Sequence, residues 1–239
     1  MILVQSIVNV FFNNPVVTQG DGMVLVLIEE GTVGAQVTSV FDNQGNEWLH
    51  VSDAFSASDV PTSKMSDIWY CKSAKASGVL TIAITSVPVN ITANTLSFYY
   101  QLQGSIDLDI AGNRTGAGIV GAAAVIESAT ITPSDSNTSR FFAAVVGQTN
   151  LNFLSAYTVN APWVPLDNYV HSNDEGPGAY AITTGEMSLS VFYTLQSWHS
   201  TSNTFWVSSI VAFVSITTGP CPGPPPPVGN PSVRGCEGN

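Results

Sequence analysis

Short segments rich in β-branched and aromatic residues recur along this chain from Ile2 to Ile216, and turn-forming residues close each of them. In Thr95–Gln103 every second residue is a large apolar one, and this period of two predicts a strand with one buried and one solvated face. Phe141–Gly147 and Phe205–Ile216 are apolar on both sides, which predicts central strands. The sequence therefore predicts an all-β fold made of antiparallel sheets in a sandwich.

The stretch from Val37 to Val51 is the clearest turn signal. Val37–Phe41 and Trp48–Val51 flank Asp42–Gly45, and Gly45 can adopt the positive φ that closes a hairpin. The side-chain oxygens of this loop suit either a cation such as Ca²⁺ or Asx-type capping of the turn. Capping is the commoner role, so we expect a structural hairpin here.

The charge balance excludes several classes of partner. Charged residues make up 10% of the chain against 44% hydrophobic residues, so Ser, Thr, Asn, Gln and Gly must cover much of the surface, as is typical of extracellular or virion proteins. Six Lys and Arg against seventeen Asp and Glu give a net charge of −11, which repels nucleic acid and anionic membranes.

No apolar run reaches the ~18 residues of a membrane span. Met1–Ser6 lacks the basic region of a secretory signal and predicts a first strand.

The composition changes abruptly after Ile216. Residues 217–239 are rich in proline, and Pro224–Pro227 favours an extended polyproline II segment. We therefore expect a sandwich domain at 1–216 and a Pro-rich tail at 217–239. Cys221 and Cys236 bracket the tail. A disulfide between them would reduce the conformational entropy of the unfolded tail, which corresponds to about 3 kcal/mol of free energy. Cys71 lies in a strand-like run and is expected to be a small buried residue.

Two patterns suggest catalysis or cofactor binding and do not hold in context. Gly116–Gly121 matches G-x-G-x-x-G, yet the βαβ unit that a dinucleotide site requires is absent, and the best helical candidate, Gly118–Ile126, is short and Gly-rich. Asp107 and Asp109 would share one strand face and could suggest a glycosidase, but a lone pair without a third acidic partner more often lies at a sheet edge or, less often, binds Ca²⁺.

The three histidines, His50, His171 and His199, show no partner at a recognisable spacing, and no G-x-S-x-G elbow is present. We therefore expect a protein without enzymatic activity, cofactor or metal. The aromatic residues Trp163, Tyr169 and Trp198 could stack on a sugar ring, although such residues more often belong to a core or a subunit contact.

Three stretches, Val37–Trp48, Trp69–Gly78 and Trp206–Phe213, resemble a broad group of jelly-roll, concanavalin-like sandwich modules of phage virion and bacterial surface proteins. The likeness extends over about Ile2 to Ile216 and does not include the tail. It implies a jelly-roll-like β-sandwich, and the group has no catalytic residues that could be transferred to this chain.

The sequence thus favours a non-enzymatic structural or decorating protein of an extracellular assembly, with a phage virion, in its capsid decoration or tail, as the leading example. Its expected partners are copies of itself and other proteins of the assembly. The alternative is a carbohydrate-binding module or adhesin of a bacterial surface, which would bind glycans through loop aromatics.

Overall fold

A computed structural model of the chain describes residues 1–8, 10–11, 13–31, 36–57, 63–87, 96–119, 125–134, 138–148, 156–166, 178–184, 192–196 and 203–216. Within these ranges the regular structure is β-strand apart from a short 3-10 turn at Ser52–Ala54. None of the described helical structure is long and apolar enough to cross a membrane.

The described strands are, in chain order, β1 (Leu3–Val8), β2 (Val16–Val17), β3 (Gly22–Gly31), β4 (Gln36–Asp42), β5 (Leu49–His50), β6 (Ser56–Ala57), β7 (Ser63–Cys71), β8 (Gly78–Val79), β9 (Ile82–Val87), β10 (Leu96–Leu102), β11 (Ile106–Ile119), β12 (Val125–Glu127), β13 (Ser139–Gln148), β14 (Ala156–Val159), β15 (Val164–Leu166), β16 (Gly178–Thr184), β17 (Phe192–Gln196) and β18 (Asn203–Ser215).

Two large antiparallel sheets form the body of the molecule. The first sheet has the order β1-β10-β3-β7-β5, and β6 also pairs with β7. The second sheet has the order β11-β18-β13-β16-β15. Smaller groups are formed by β4 with β9, by β2 with β8, and by β12, β17 and β14. This arrangement confirms the predicted all-β sandwich of antiparallel sheets.

The main apolar core lies between the two sheets. Two ring contacts connect them: Tyr100 lies 5.0 Å from Phe141, and Tyr70 lies 5.1 Å from Phe213, measured between ring centroids. Each of these phenylalanines is fully buried, and burial of such a side chain stabilises the fold by about 1.5–3 kcal/mol. As predicted, β13 and β18 are buried on both faces over much of their length.

The opposite face of the first sheet is also covered. A second apolar cluster there joins Leu25 and Tyr99 of the sheet to Val40 of β4 and Ile82 of β9. All of β10 is therefore buried, so the predicted solvated face is wrong for Ser97, Tyr99 and Gln101, whereas Gln103 just after the strand is exposed as predicted.

Ser97 and Gln101 on that face of β10 form hydrogen bonds inside the protein, while Gln101 Oε1 and the Tyr99 hydroxyl have no partner among the described residues. Ser97 Oγ accepts a hydrogen bond from the amide of Val10 at 3.0 Å, and Gln101 Nε2 donates to Asp21 Oδ2 at 2.7 Å. Such pairing makes it possible to bury polar groups. The predicted alternation of side chains between the two faces of β10 is present, but the polar positions face the second layer formed by β4 and β9.

The predicted hairpin at Val37–Val51 does not form. Strand β4 pairs with β9, and Leu49–His50 pairs with β7 of the first sheet, so the intervening loop connects two layers. Gly45 nevertheless has the expected positive φ, at 68°. The turn chemistry was predicted correctly, whereas the pairing was decided by which sheet buried each apolar face.

The Gly-rich segment is a strand where it is described. Gly116–Ile119 continue β11 and pair with β18, and Val125–Ile126 belong to β12. The described residues of the helical candidate Gly118–Ile126 therefore lie in strands. Of the G-x-G-x-x-G motif, Gly116–Ile119 lie in a paired strand, and residues 120–121 lie outside the described residues.

Candidate functional site

The carboxylate of Asp42 organises the loop that links β4 to β5. Its Oδ1 accepts hydrogen bonds from the amides of Gln44 at 2.9 Å and Asn46 at 3.2 Å. Its Oδ2 accepts from Asn46 Nδ2 at 3.0 Å and from the indole nitrogen of Trp48 at 2.7 Å. Both oxygens serve the loop itself, as the sequence predicted for Asx-type capping.

The acidic residues of β11 have separate partners. Asp107 Oδ1 lies 2.9 Å from Lys72 Nζ, and both side chains are partly exposed. Asp109 forms a buried ion pair with Arg140, with 2.5 Å between Asp109 Oδ2 and Arg140 Nε. A register shift between Leu108 and Ile110 interrupts the strand alternation here. Each carboxylate is therefore engaged in its own ion pair.

The pKa of Asp109 is lowered even though burial acts to raise it. The opposing influences are hydrogen bonds from Ser134 and the neighbouring Arg140 guanidinium. Arg140 also donates to the carbonyl of Thr138 at 2.9 Å. These contacts connect Ser134 and Thr138 to β11 and β13 of the second sheet, which is a structural role.

Cys71 is buried, and its thiol donates to the carbonyl of Ser73 at 3.4 Å. Burial raises the pKa of this thiol to about 11, so the thiolate is scarcely populated at neutral pH. The prediction of a small buried residue is confirmed.

His50 has a partner that the sequence reasoning missed. Its Nε2 lies 2.7 Å from Asp67 Oδ1, and its ring lies 4.6 Å from the ring of Trp69. The backbone register explains the contact: His50 is opposite Trp69, and Asp67 lies two residues away on the same face of β7. The sequence separation carried no signal, but a correct β5–β7 pairing would have revealed it.

Asp67 is 2% exposed and accepts two further hydrogen bonds, from Trp69 Nε1 and the amide of Ile68, both at 2.8 Å. The hydrogen bond to Asp67 raises the pKa of His50, and partial burial opposes the shift. His50 keeps about a third of its side chain exposed. The pair therefore couples a buried carboxylate to an imidazole that reaches the surface.

Glu29 lies beside this pair. It is 1% exposed, and its Oε1 has no hydrogen-bond partner. Burial, followed by repulsion from Asp67, raises the pKa of Glu29 to about 8. Glu29, Asp67 and His50 together are called the acid cluster below. Among the described residues, no group of three His, Cys, Asp or Glu side chains is arranged to hold a metal ion.

Of the residues predicted to stack on glycans, Trp163 is described, and it is buried. Its side chain is 5% exposed and packs edge-to-face on Phe142, with 6.3 Å between the ring centroids. Tyr169 and Trp198 lie outside the described residues, as do Cys221 and Cys236 of the tail. Trp163 therefore contributes its ring to the core of the second sheet.

Exposed apolar side chains surround the turn that joins β10 to β11. Ile2 is 59% exposed, Val4 51% and Ile216 39%. The turn holds two of these residues in place: the amide of Gln103 donates to the carbonyl of Ile2 at 2.9 Å, and the amide of Ile216 donates to the carbonyl of Ser105 at 2.8 Å. We call Ile2, Val4 and Ile216 the exit surface, because the chain continues from Ile216 into the Pro-rich tail.

A second exposed apolar pair lies on a different part of the fold. Val16 of β2 and Val79 of β8 are directly opposite each other, with exposed fractions of 64% and 56%. Unlike the exit surface, this pair is distant in sequence from the tail.

Comparison with known proteins supplied no relative: no protein-family model, no curated protein and no solved structure matches this chain.

Proposed function

We propose that this protein is a non-enzymatic structural or decorating component of an extracellular assembly, with a phage virion as the leading example, and that it acts by forming protein–protein interfaces. The proposal rests mainly on the exit surface, where apolar side chains are exposed next to the start of the tail. Exposed apolar residues grouped in this way commonly mark contact sites.

The scaffold suits such a role. Both faces of the first sheet are covered, so its strands serve packing and leave the loops, edges and tail for contacts. The few charges on the chain keep the cost of desolvating an interface low.

The partner that the exit surface fits best is a second copy of the chain. Each copy has a net charge of −11, so two copies repel each other except where they meet through uncharged surface. A two-fold contact places the same apolar residues on both sides. The tail of each copy would then start beside its neighbour, and an extended polyproline II segment reaches ~3.1 Å per residue.

The test compares the full-length chain with the double variant Ile2→Lys/Ile216→Lys by sedimentation equilibrium. Two buried lysines per copy should weaken self-association at least tenfold. The matched control is Val16→Lys/Val79→Lys, which adds the same two charges at exposed valines outside the exit surface and should leave association unchanged. Unchanged association of the double variant, or equal weakening by the control, would count against the exit surface.

A further inference from the structure

Glu29 is a buried carboxyl group for which the described residues supply no counter-charge. It lies opposite Met65 in the β3–β7 ladder, on the same sheet face as Asp67. Met65 packs with Phe55 and Ala57, so this part of the environment is apolar. A carboxylate in such surroundings is strongly disfavoured, while the neutral acid is tolerated.

The described groups that face Glu29 do not stabilise its ionised carboxylate. On β7, Asp67 is itself a buried carboxyl group with a raised pKa, and it already accepts hydrogen bonds from His50, Trp69 and Ile68. On β5, His50 directs its Nε2 to Asp67. Among the described residues no cation contributes to the pKa of Glu29, and the repulsion from Asp67 adds to the effect of burial.

The position of Glu29 in the β3–β7 ladder determines which strand pairs can open when its carboxyl group ionises. Beyond the pair Glu29↔Met65, the described part of the ladder contains two further pairs, Glu30↔Lys64 and Gly31↔Ser63. Breaking these last pairs would bring the carboxylate to water and leave the pairs from Leu27 to Met23 intact. Opening is therefore expected at the end of the ladder rather than across the sheet.

We propose that Glu29 is a proton-controlled latch, which keeps the end of the β3–β7 ladder closed while neutral and releases it on ionisation. The latch is a conformational device of the fold and does not depend on the assembly role proposed above. Its operating range follows from the raised pKa of about 8, so release occurs under mildly alkaline conditions.

Hydrogen exchange on the full-length chain tests the latch. In the wild type, protection of amides in residues 63–66, corrected for the intrinsic pH dependence of exchange, should fall at least tenfold between pH 7 and pH 9. In Glu29→Gln, which stays neutral and keeps the shape of the side chain, protection should not change. Glu47→Gln is the matched control, because it removes an exposed carboxylate, and it should behave like the wild type. Equal pH dependence in wild type and Glu29→Gln would overturn the proposal.

A direct titration covers the case in which Glu29→Gln does not fold. In the wild type labelled with ¹³C at glutamate carboxyls, the Glu29 resonance should titrate near pH 8. Titration of every glutamate below pH 6 would overturn the proposal.

Discussion

Glu29 and Asp67 are diagonal neighbours on one face of the first sheet, since Asp67 is directly opposite Leu27 in the β3–β7 ladder. Glu29 is 1% exposed and Asp67 2% exposed. Two buried carboxyl groups at this separation oppose each other's ionisation, and His50 and Trp69 donate hydrogen bonds to Asp67. Burial raises the pKa of Asp67, and its hydrogen bonds from His50, Trp69 and the amide of Ile68 oppose that rise, whereas Glu29 has only burial and repulsion acting on it, both of which raise its pKa.

Glu29 should make the fold less stable as the pH rises. Its pKa is 4.5 when exposed and about 8 in the fold, so the folded state retains a proton that the unfolded state loses between these values. Relative to Glu29→Gln, the wild type should therefore lose up to ~1.4 kcal/mol of unfolding free energy per pH unit across this window. Urea unfolding at pH 4.5, 6 and 8 measures the difference. A constant difference would contradict a buried neutral acid.

His50 should lose its raised pKa in Asp67→Asn. The hydrogen bond to the carboxylate is the main cause of the shift, and without it partial burial favours the neutral imidazole. In the wild type the stabilisation from this pair is complete below pH 6.5, the ordinary pKa of histidine. It is lost as the pH rises through the raised pKa of His50. Proton NMR of the imidazole follows the titration, with His171 and His199 as internal references. An unchanged His50 titration would show that Asp67 does not control it.

The buried pair Asp109–Arg140 should depend on both partners. Arg140→Met leaves the Asp109 carboxylate buried without its counter-charge and should cost about 3–5 kcal/mol in unfolding free energy. The double variant Asp109→Leu/Arg140→Met should recover much of that loss. The fold lowers the pKa of Asp109. The stabilisation from its carboxylate is therefore present above pH 3.8, the ordinary pKa, and disappears as the pH falls through the lowered pKa of the folded state. Chemical denaturation of a double-mutant cycle gives the coupling energy, and additive effects would contradict the pair.

Trp163→Ala should behave as a core substitution. Its ring is buried against Phe142, so truncation should cost about 3–5 kcal/mol, and Trp163→Phe should cost less. Thermal unfolding measures both. If Trp163→Ala instead kept wild-type stability and lost binding on a glycan array, the carbohydrate-binding alternative would be favoured over a core role.

The sequence predicted the strands and the local turn chemistry well because these depend on neighbouring residues. Asp42 caps its loop as expected, and Gly45 has the predicted positive φ. The alternation of Thr95–Gln103 was also read correctly, but its second face is covered by protein. An alternating pattern reports which residues share a face, and only the tertiary structure shows whether that face meets water.

The acid cluster could not have been found by spacing. His50 and Asp67 meet because β5 pairs with β7, whereas the sequence suggested that the segment after Asp42 pairs back on β4. Glu29 follows the apolar run Met23–Ile28 of β3 and lies opposite Met65 of β7. Contacts of this kind depend on strand order, which a single sequence specifies weakly.

Sedimentation velocity of the full-length wild type at neutral pH, over a wide range of concentrations, tests the central claim that this protein works by assembling through its surface. We predict a species heavier than the 25.2 kDa chain that grows with concentration. A 25.2 kDa monomer at every concentration up to about 1 mM, the weak limit of specific association, would contradict self-assembly.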